Sequence, residues 1–231
     1  MIVLTPVQTF AQTVIEENAN PSNNYPLITD EWSFWPTDQD RAPRRTASGS
    51  SRNITCLSSS IVPLIPPSQF GRTSTARPEI LVYLPTRISG QAVFSIQSEE
   101  NYSYIALIDI PEEEGIISIP LPTDAPDLAN NQLYQWSLIV SCGDVVGPDS
   151  PSVAGWLETQ TDIEESDAPA MPSLTQVTQY RDDYFWYDML SMLARLKAAH
   201  PADEEIHQAW IRALEGNSLS EVVEKPLINA H

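Results

Sequence analysis

Basic residues are what this sequence has least of. Only 12 of its 231 residues are Lys or Arg, and just two of those are lysines, Lys197 and Lys225, against 31 Asp or Glu. The formal charge is −19 at pH 7, and no Lys or Arg at all occurs between Arg87 and Arg181. Such a chain repels phosphate backbones and anionic lipid, which argues against nucleic acid as a partner and leaves cationic proteins or divalent metal as the electrostatically permitted ones. Histidine is scarce too: His200, His207 and His231 all lie in the C-terminal part. No HExxH, GxSxG or GxxxxGK[ST] occurs, so the zinc-hydrolase, nucleophile-elbow and P-loop templates fail. A nucleophilic Cys142 would need one of those distant histidines as its base, and a buried or bridged thiol is the simpler reading. Glu204-x-x-His207 is half of a carboxylate di-metal motif whose second half is missing, and it reads as a solvated helix face. No apolar run reaches the ~20 residues that a membrane-spanning helix needs. No catalytic residue, cofactor site or metal ligand is assigned on this basis.

What is present begins with an apolar, uncharged stretch at 1–11 ending in Thr9-Phe10-Ala11. Small residues at those two flanking positions are what a signal peptidase reads, so 1–11 is expected to be the remnant of a signal peptide. Residues 12–53 have the polar, Pro-rich composition of a flexible N-terminal segment. Trp32, Phe34 and Trp35 interrupt it and are expected to dock on the folded part of the same chain, since exposed aromatics are a liability. Arg41, Arg44, Arg45 and Arg52 form the one basic cluster, attracted to the acidic remainder.

From 54 to 160, seven strand-like runs alternate with Pro-, Gly- or Asp/Asn-rich breaks, near 54–65, 79–84, 91–97, 102–110, 116–121, 133–142 and 153–160. The sixth is the clearest. Tyr134, Trp136, Leu138, Val140 and Cys142 fall on one face and Gln135, Ser137, Ile139 and Ser141 on the other, the period of a strand with one buried side. Tyr134, Trp136, Leu138 and Val140 are therefore the expected structural core. Leu128 followed by Tyr134 resembles the corner of a β-sandwich, where the phenol bonds back to the preceding turn. Tyr102, Tyr104, Ala106, Ile108 and Ile110 repeat the alternation on the fourth run, and Trp156 reads as core or edge packing. Short strands at this spacing, with no helices between them, predict an immunoglobulin-like antiparallel β-sandwich of about seven strands over 54–160. Cys56 and Cys142 are expected to form a disulfide, which would close a loop of ~85 residues for roughly 4–5 kcal/mol in the chain-entropy model. The alternative is two buried free thiols.

Residues 161–173 are acidic and Pro-rich and read as a linker. The period then lengthens in 174–231, which predicts a small C-terminal helical appendage. One helix is expected over 183–199, with Asp182 or Asp183 as its cap and Tyr184, Tyr187, Leu190 and Leu193 at helical spacing. A second spans 203–215 with Ile206, Trp210 and Leu214. A third opens on the capping box Ser218-Leu219-Ser220-Glu221 and ends at Pro226. Helices this short are stable only when packed on something. Tyr184, Phe185, Trp186 and Tyr187 are the candidate partner-binding residues.

The carboxylates admit three readings. Calcium could bind at acidic loops, although no D-x-[DN]-x-[DN]-G loop is present. Two carboxylates could form a glycosidase pair, although nothing picks out which two. The third reading, solubility and protection of sheet edges, needs no ligand. Asn53-Ile54-Thr55 and Asn101-Tyr102-Ser103 match the glycosylation sequon.

Several segments taken together resemble domain of unknown function family 928, exported proteins found mainly in cyanobacteria. They are Cys56 with IVPLIP at 61–66, PEILVYLP, AVFSIQ, GIISIPLP, LYQWSLIVSC, VAGWL, FWYDMLSMLARL and WIRAL, spread over 52–226. Where that family has a Gly-rich approach to the first cysteine, this chain has Ser-Gly-Ser-Ser. The resemblance implies export to the periplasm or cell surface and transfers no activity. The function expected is a non-enzymatic binding or adaptor module for another protein. The alternatives are a carboxylate-dependent hydrolase acting on glycans and a calcium-stabilised structural envelope protein.

Overall fold

The computed structural model describes residues 31–34, 57, 59–85, 90–141, 146, 150–160 and 172–228. The strands are β1 (Val62–Pro63), β2 (Phe70–Thr73), β3 (Glu79–Leu84), β4 (Gly90–Ser98), β5 (Ser103–Ile110), β6 (Gly115–Pro120), β7 (Leu133–Val140), β8 (Ser152–Thr159) and β9 (Leu227–Ile228). The helices α1 (Leu174–Asp182), α2 (Trp186–Ala199) and α3 (Glu204–Glu215) lie near the C-terminus. The protein is mainly β. One sheet runs β1-β3-β6-β9 and the other β2-β8-β7-β4-β5.

β7 sits centrally in the larger sheet, antiparallel to both β4 and β8. Its burial alternates strictly, with Tyr134, Trp136, Leu138 and Val140 each 0% exposed. Phe94, Ile96 and Leu157 extend that buried face onto the neighbouring strands. At the foot of β7 the Tyr134 hydroxyl accepts from the Ala129 N–H at 2.8 Å, above a buried Leu128. This is the corner expected of a sandwich, and it fixes where β7 begins. Trp136 lies opposite Gly155 of β8, where an added Cβ would stand 2.8 Å from the indole and 2.8 Å from Ile65. Only a glycine leaves the indole its place. The parallel β2–β8 pair, the antiparallel β3–β6 pair and the two-sheet order are compatible with an immunoglobulin-like arrangement.

Within the expected strand at 54–65, the described residues pair only over the two residues of β1, and the chain then enters the other sheet as β2. Pro63, Pro66 and Pro67 cannot donate to a ladder, so pairing stops there and the chain changes sheet. The expected helix at 183–199 starts at Trp186 instead. Upstream residues form α1, capped by Ser173, whose side chain accepts from the Gln176 N–H. Asp183 ends α1 rather than capping α2, and Tyr184 at φ +62° makes the corner between them. The third expected helix is a single 3-10 turn, Ser220–Val222. Ser218 has φ +61°, outside the extended geometry that an N-cap serine needs, so the capping box does not form.

The helices follow the sandwich in the chain and share its core. Residues Ile80 to Leu84 of β3 are buried without alternation, so both faces of that strand are covered. α2 packs against β2 and β3, and β9 returns the chain to the smaller sheet as a parallel neighbour of β6. One hydrophobic cluster joins both sheets, the helices, Trp32 and Phe34. Among the described residues, no helix is long and apolar enough to cross a membrane.

Candidate functional site

Three of the four aromatics at 184–187 are interior, which corrects the expectation that the quartet offers a partner surface. Phe185, Trp186 and Tyr187 are buried, and only Tyr184 is exposed. The Trp186 indole N–H donates to the Leu64 carbonyl at 2.9 Å. The Tyr187 hydroxyl accepts from the Trp136 indole N–H at 2.8 Å and donates to the Trp156 carbonyl at 3.0 Å. Burial holds the Tyr187 phenol's pKa well above its ordinary value, so it stays a donor. These two side chains join α2 to the sandwich, and Gly71 of β2 leaves room for them: a Cβ there would stand 2.9 Å from the Tyr187 ring. Phe34 packs edge-on against Trp186 with ring centres 4.8 Å apart. Buried Asn217 pins the same segment, donating to the Trp32 carbonyl at 2.6 Å and accepting from the Phe34 N–H at 2.9 Å. Trp32 and Phe34 thus dock within the chain; Trp35 lies outside the described residues. So do Cys56 and Cys142, and with them the expected disulfide.

In the first turn of α2, Asp188 opens a polar cleft of about 300 Å³ between that helix, α1 and the segment joining β2 to β3. Its carboxyl is buried, and each oxygen accepts from Ser74 at 3.0 Å, one from the backbone N–H and one from the hydroxyl. Burial raises its pKa to about 6, only partly opposed by the Ser74 and Thr73 hydrogen bonds. The loop it grips is a run of side-chain turns: the Thr73 hydroxyl accepts from the Thr75 N–H and the Thr75 hydroxyl from the Arg77 N–H. On the opposite wall Glu79 stands 3.6 Å from Arg195, which also donates to the Ser191 carbonyl and hydroxyl. Arg77 is spent on Asp127 and on the Ala125 and Leu121 carbonyls. Two carboxyls, Glu79 and Asp188, therefore line one cleft, but the oxygens of Asp188 are occupied by the loop they hold. Its local chemistry is that of a clamp. No sequence motif flags it, because Ser74 and Asp188 are 114 residues apart.

The second feature is the outward face of β5. Among the described residues, β5 is an edge strand that pairs only with β4. Ser103, Ile105, Leu107 and Asp109 point outward, and Ile105 and Leu107 are 68% and 64% exposed. Register sets Leu107, Val93 and Ile139 in one row across β5, β4 and β7, and Ile105, Ser95 and Ser137 in the next. The Ser95 and Ser137 hydroxyls bond each other at 2.8 Å, so they leave the aliphatic patch without an open polar centre. Exposed Glu99 and Glu100 stand before one end of β5, and exposed Glu112 and Glu113 after the other. The alternation at 102–110 was legible from Tyr102 to Ile110; the signal for this face was the pair of aliphatics at the intervening positions, Ile105 and Leu107.

Among the described residues, no group of three or more His, Cys, Asp and Glu is placed to hold a metal ion. In the Glu204-x-x-His207 segment, His207 Nδ1 lies 3.0 Å from Lys197 Nζ. The family model described as Domain of Unknown Function (DUF928) matches residues 45–227. No curated protein and no solved structure matches the chain.

Proposed function

The chain belongs to the Domain of Unknown Function (DUF928) family, a premise that carries no activity with it, and we propose that it is a non-enzymatic protein-binding module exported to the periplasm or cell surface. The observation behind the binding reading is the face of β5: two large aliphatic side chains, Ile105 and Leu107, more than half exposed beside Val93 and Ile139. A contiguous apolar patch beside a free strand edge is the kind of surface that soluble proteins keep only where something docks. The signal-like composition of residues 1–11 supports export. Leu107→Asp adds a charge to this patch and loses only the cross-strand pair with half-buried Val93, so its cost in stability is expected to be about 1–2 kcal/mol, which leaves the fold intact. Capture from envelope extracts of the source organism with wild type and Leu107→Asp tests the reading. A protein retained by the first and lost by the second supports it. Identical captures by both remove the β5 face as the binding surface.

A hydrolase acting on glycans is favoured by one observation, the presence of Glu79 and Asp188 on the walls of one cleft. The occupied oxygens of Asp188 weigh against its acting as an acid on substrate. Turnover of a chromogenic glycoside that disappears in Glu79→Gln would reverse the order of the two readings.

A further inference from the structure

We propose that the free edge of β5 takes an extended segment of another protein as an added strand, and that this segment carries alternating aliphatic side chains with Lys or Arg beyond both of its ends. The inference rests on the protein-binding reading and names the partner's chemistry.

The edge is the first reason. β5 keeps an unbroken register with β4 from Ser103 opposite Gln97 to Ile110 opposite Gly90, with no bulge to twist it away. An edge strand presents every second N–H and C=O to whatever lies beside it. Proteins that must protect such an edge use proline, charged side chains (lysine above all) or a bulge, and Ser103–Ile110 has no proline, lysine or bulge and one charge, Asp109, near its end. Its inward residues Tyr104, Ala106 and Ile108 are themselves only half-buried, as on an uncovered border. A strand added there extends the sheet and places its own outward side chains beside Ile105 and Leu107, the unit of sheet stabilisation.

Charge decides which strand fits. A second copy is the obvious candidate, because pairing two β5 strands antiparallel about Ala106 keeps the faces matched and sets Ile105 against Leu107 of the copy. The same register brings Glu99 and Glu100 opposite Glu113 and Glu112 of the copy. Like charges directly opposite are unfavourable, and each copy carries a net charge of −19 in all. A segment with basic ends turns the same four carboxylates into attraction. The sequence between Arg87 and Arg181 holds no cation of its own to compete for them. The carboxylates bracket a strand of 8 residues, so the partner's basic groups should bracket an aliphatic core of the same length.

The full chain is titrated with fluorescein-labelled peptides of about 12 residues, long enough to cover β5 and its acidic ends. One peptide has alternating Thr and Val between pairs of lysines, a second has glutamates in place of the lysines, and a third is the lysine peptide N-methylated at alternate residues. The lysine peptide is expected to bind, to weaken at least about tenfold between about 20 and about 200 mM salt, and to perturb the amides of residues 103–110. The glutamate and N-methylated peptides and Leu107→Asp should each abolish binding. Absence of binding by the lysine peptide, or equal binding by Leu107→Asp, overturns the proposal. If the captured partner still depends on Leu107 while the peptide does not bind, strand addition falls and the binding-module reading stands. A dimer in sedimentation equilibrium that Leu107→Asp dissociates would make the occupant a second copy and likewise overturn it.

Discussion

Asp188 offers the sharpest energetic test, because its sign is opposite to that of most carboxyls in folded proteins. The side chain is only 9% exposed, and its pKa is raised by burial from 3.8 to about 6. Between those values the folded protein holds a proton that the unfolded chain releases. The group's contribution is therefore most favourable below pH 3.8 and is lost as pH rises through 6. Roughly two pH units at about 1.4 kcal/mol each make the full span about 3 kcal/mol. The isoelectric point near 4.2 falls inside that range and invites precipitation there. Measurement between about pH 5 and about pH 7.5 avoids it and still covers roughly 1.4 kcal/mol of the span. Asp188→Asn keeps the shape: its amide oxygen can accept from the Ser74 N–H, and its NH₂ can donate to the Ser74 hydroxyl. Urea unfolding of wild type and variant at both pH values isolates this group, because every other carboxyl is common to the two chains. The wild type should lose about 1.4 kcal/mol relative to Asp188→Asn between the two pH values. A difference that stays flat with pH would show that Asp188 does not titrate as a buried carboxyl and that burial does not raise its pKa.

Trp136→Ala should cost roughly 3–5 kcal/mol by chemical denaturation, since it empties a fully buried indole site and strips Tyr187 of its donor; a near-neutral result would contradict the central place given to β7. Gly155→Ala should destabilise by about 1–3 kcal/mol, and by clearly less in a Trp136→Phe background, because the new Cβ collides with the indole. Additive effects in that double-mutant cycle would mean that the collision is relieved elsewhere. Denaturing alkylation without reductant should leave the mass of the protein unchanged if Cys56 and Cys142 are bridged; two added labels would identify free thiols.

Much of the architecture was legible because it is local. The alternation of Tyr134, Trp136, Leu138 and Val140 is a property of consecutive residues, and a strand buried on one face is the simplest structure that satisfies it. The expected helix at 203–215 is local in the same way, and α3 forms there with Asp203 as its cap, its carboxylate accepting from the Glu205 and Ile206 N–H groups at 2.9 and 3.2 Å. The failures were also local in cause. Left-handed Ser218 undid a capping box that the residue types alone would allow, and left-handed Tyr184 separates α2 from α1, a helix that was not expected.

What only the tertiary structure decided is which surfaces meet. Helical periodicity marked the apolar residues of α2, but it cannot say whether that face meets a partner or the sandwich of the same chain. Gly71 and the Trp136 indole, both far away in sequence, made it the latter. Alternation likewise marked 102–110 as a strand, yet whether Ile105 and Leu107 are covered depends on sheet order, and that order left β5 on the border. The pairing of Asp188 with Ser74 belongs to the same class. Periodicity reports the environment that a side chain requires, whereas the neighbour that supplies it is chosen by contacts between residues far apart in the chain, 51 positions for Trp136 and Tyr187 and 114 for Ser74 and Asp188.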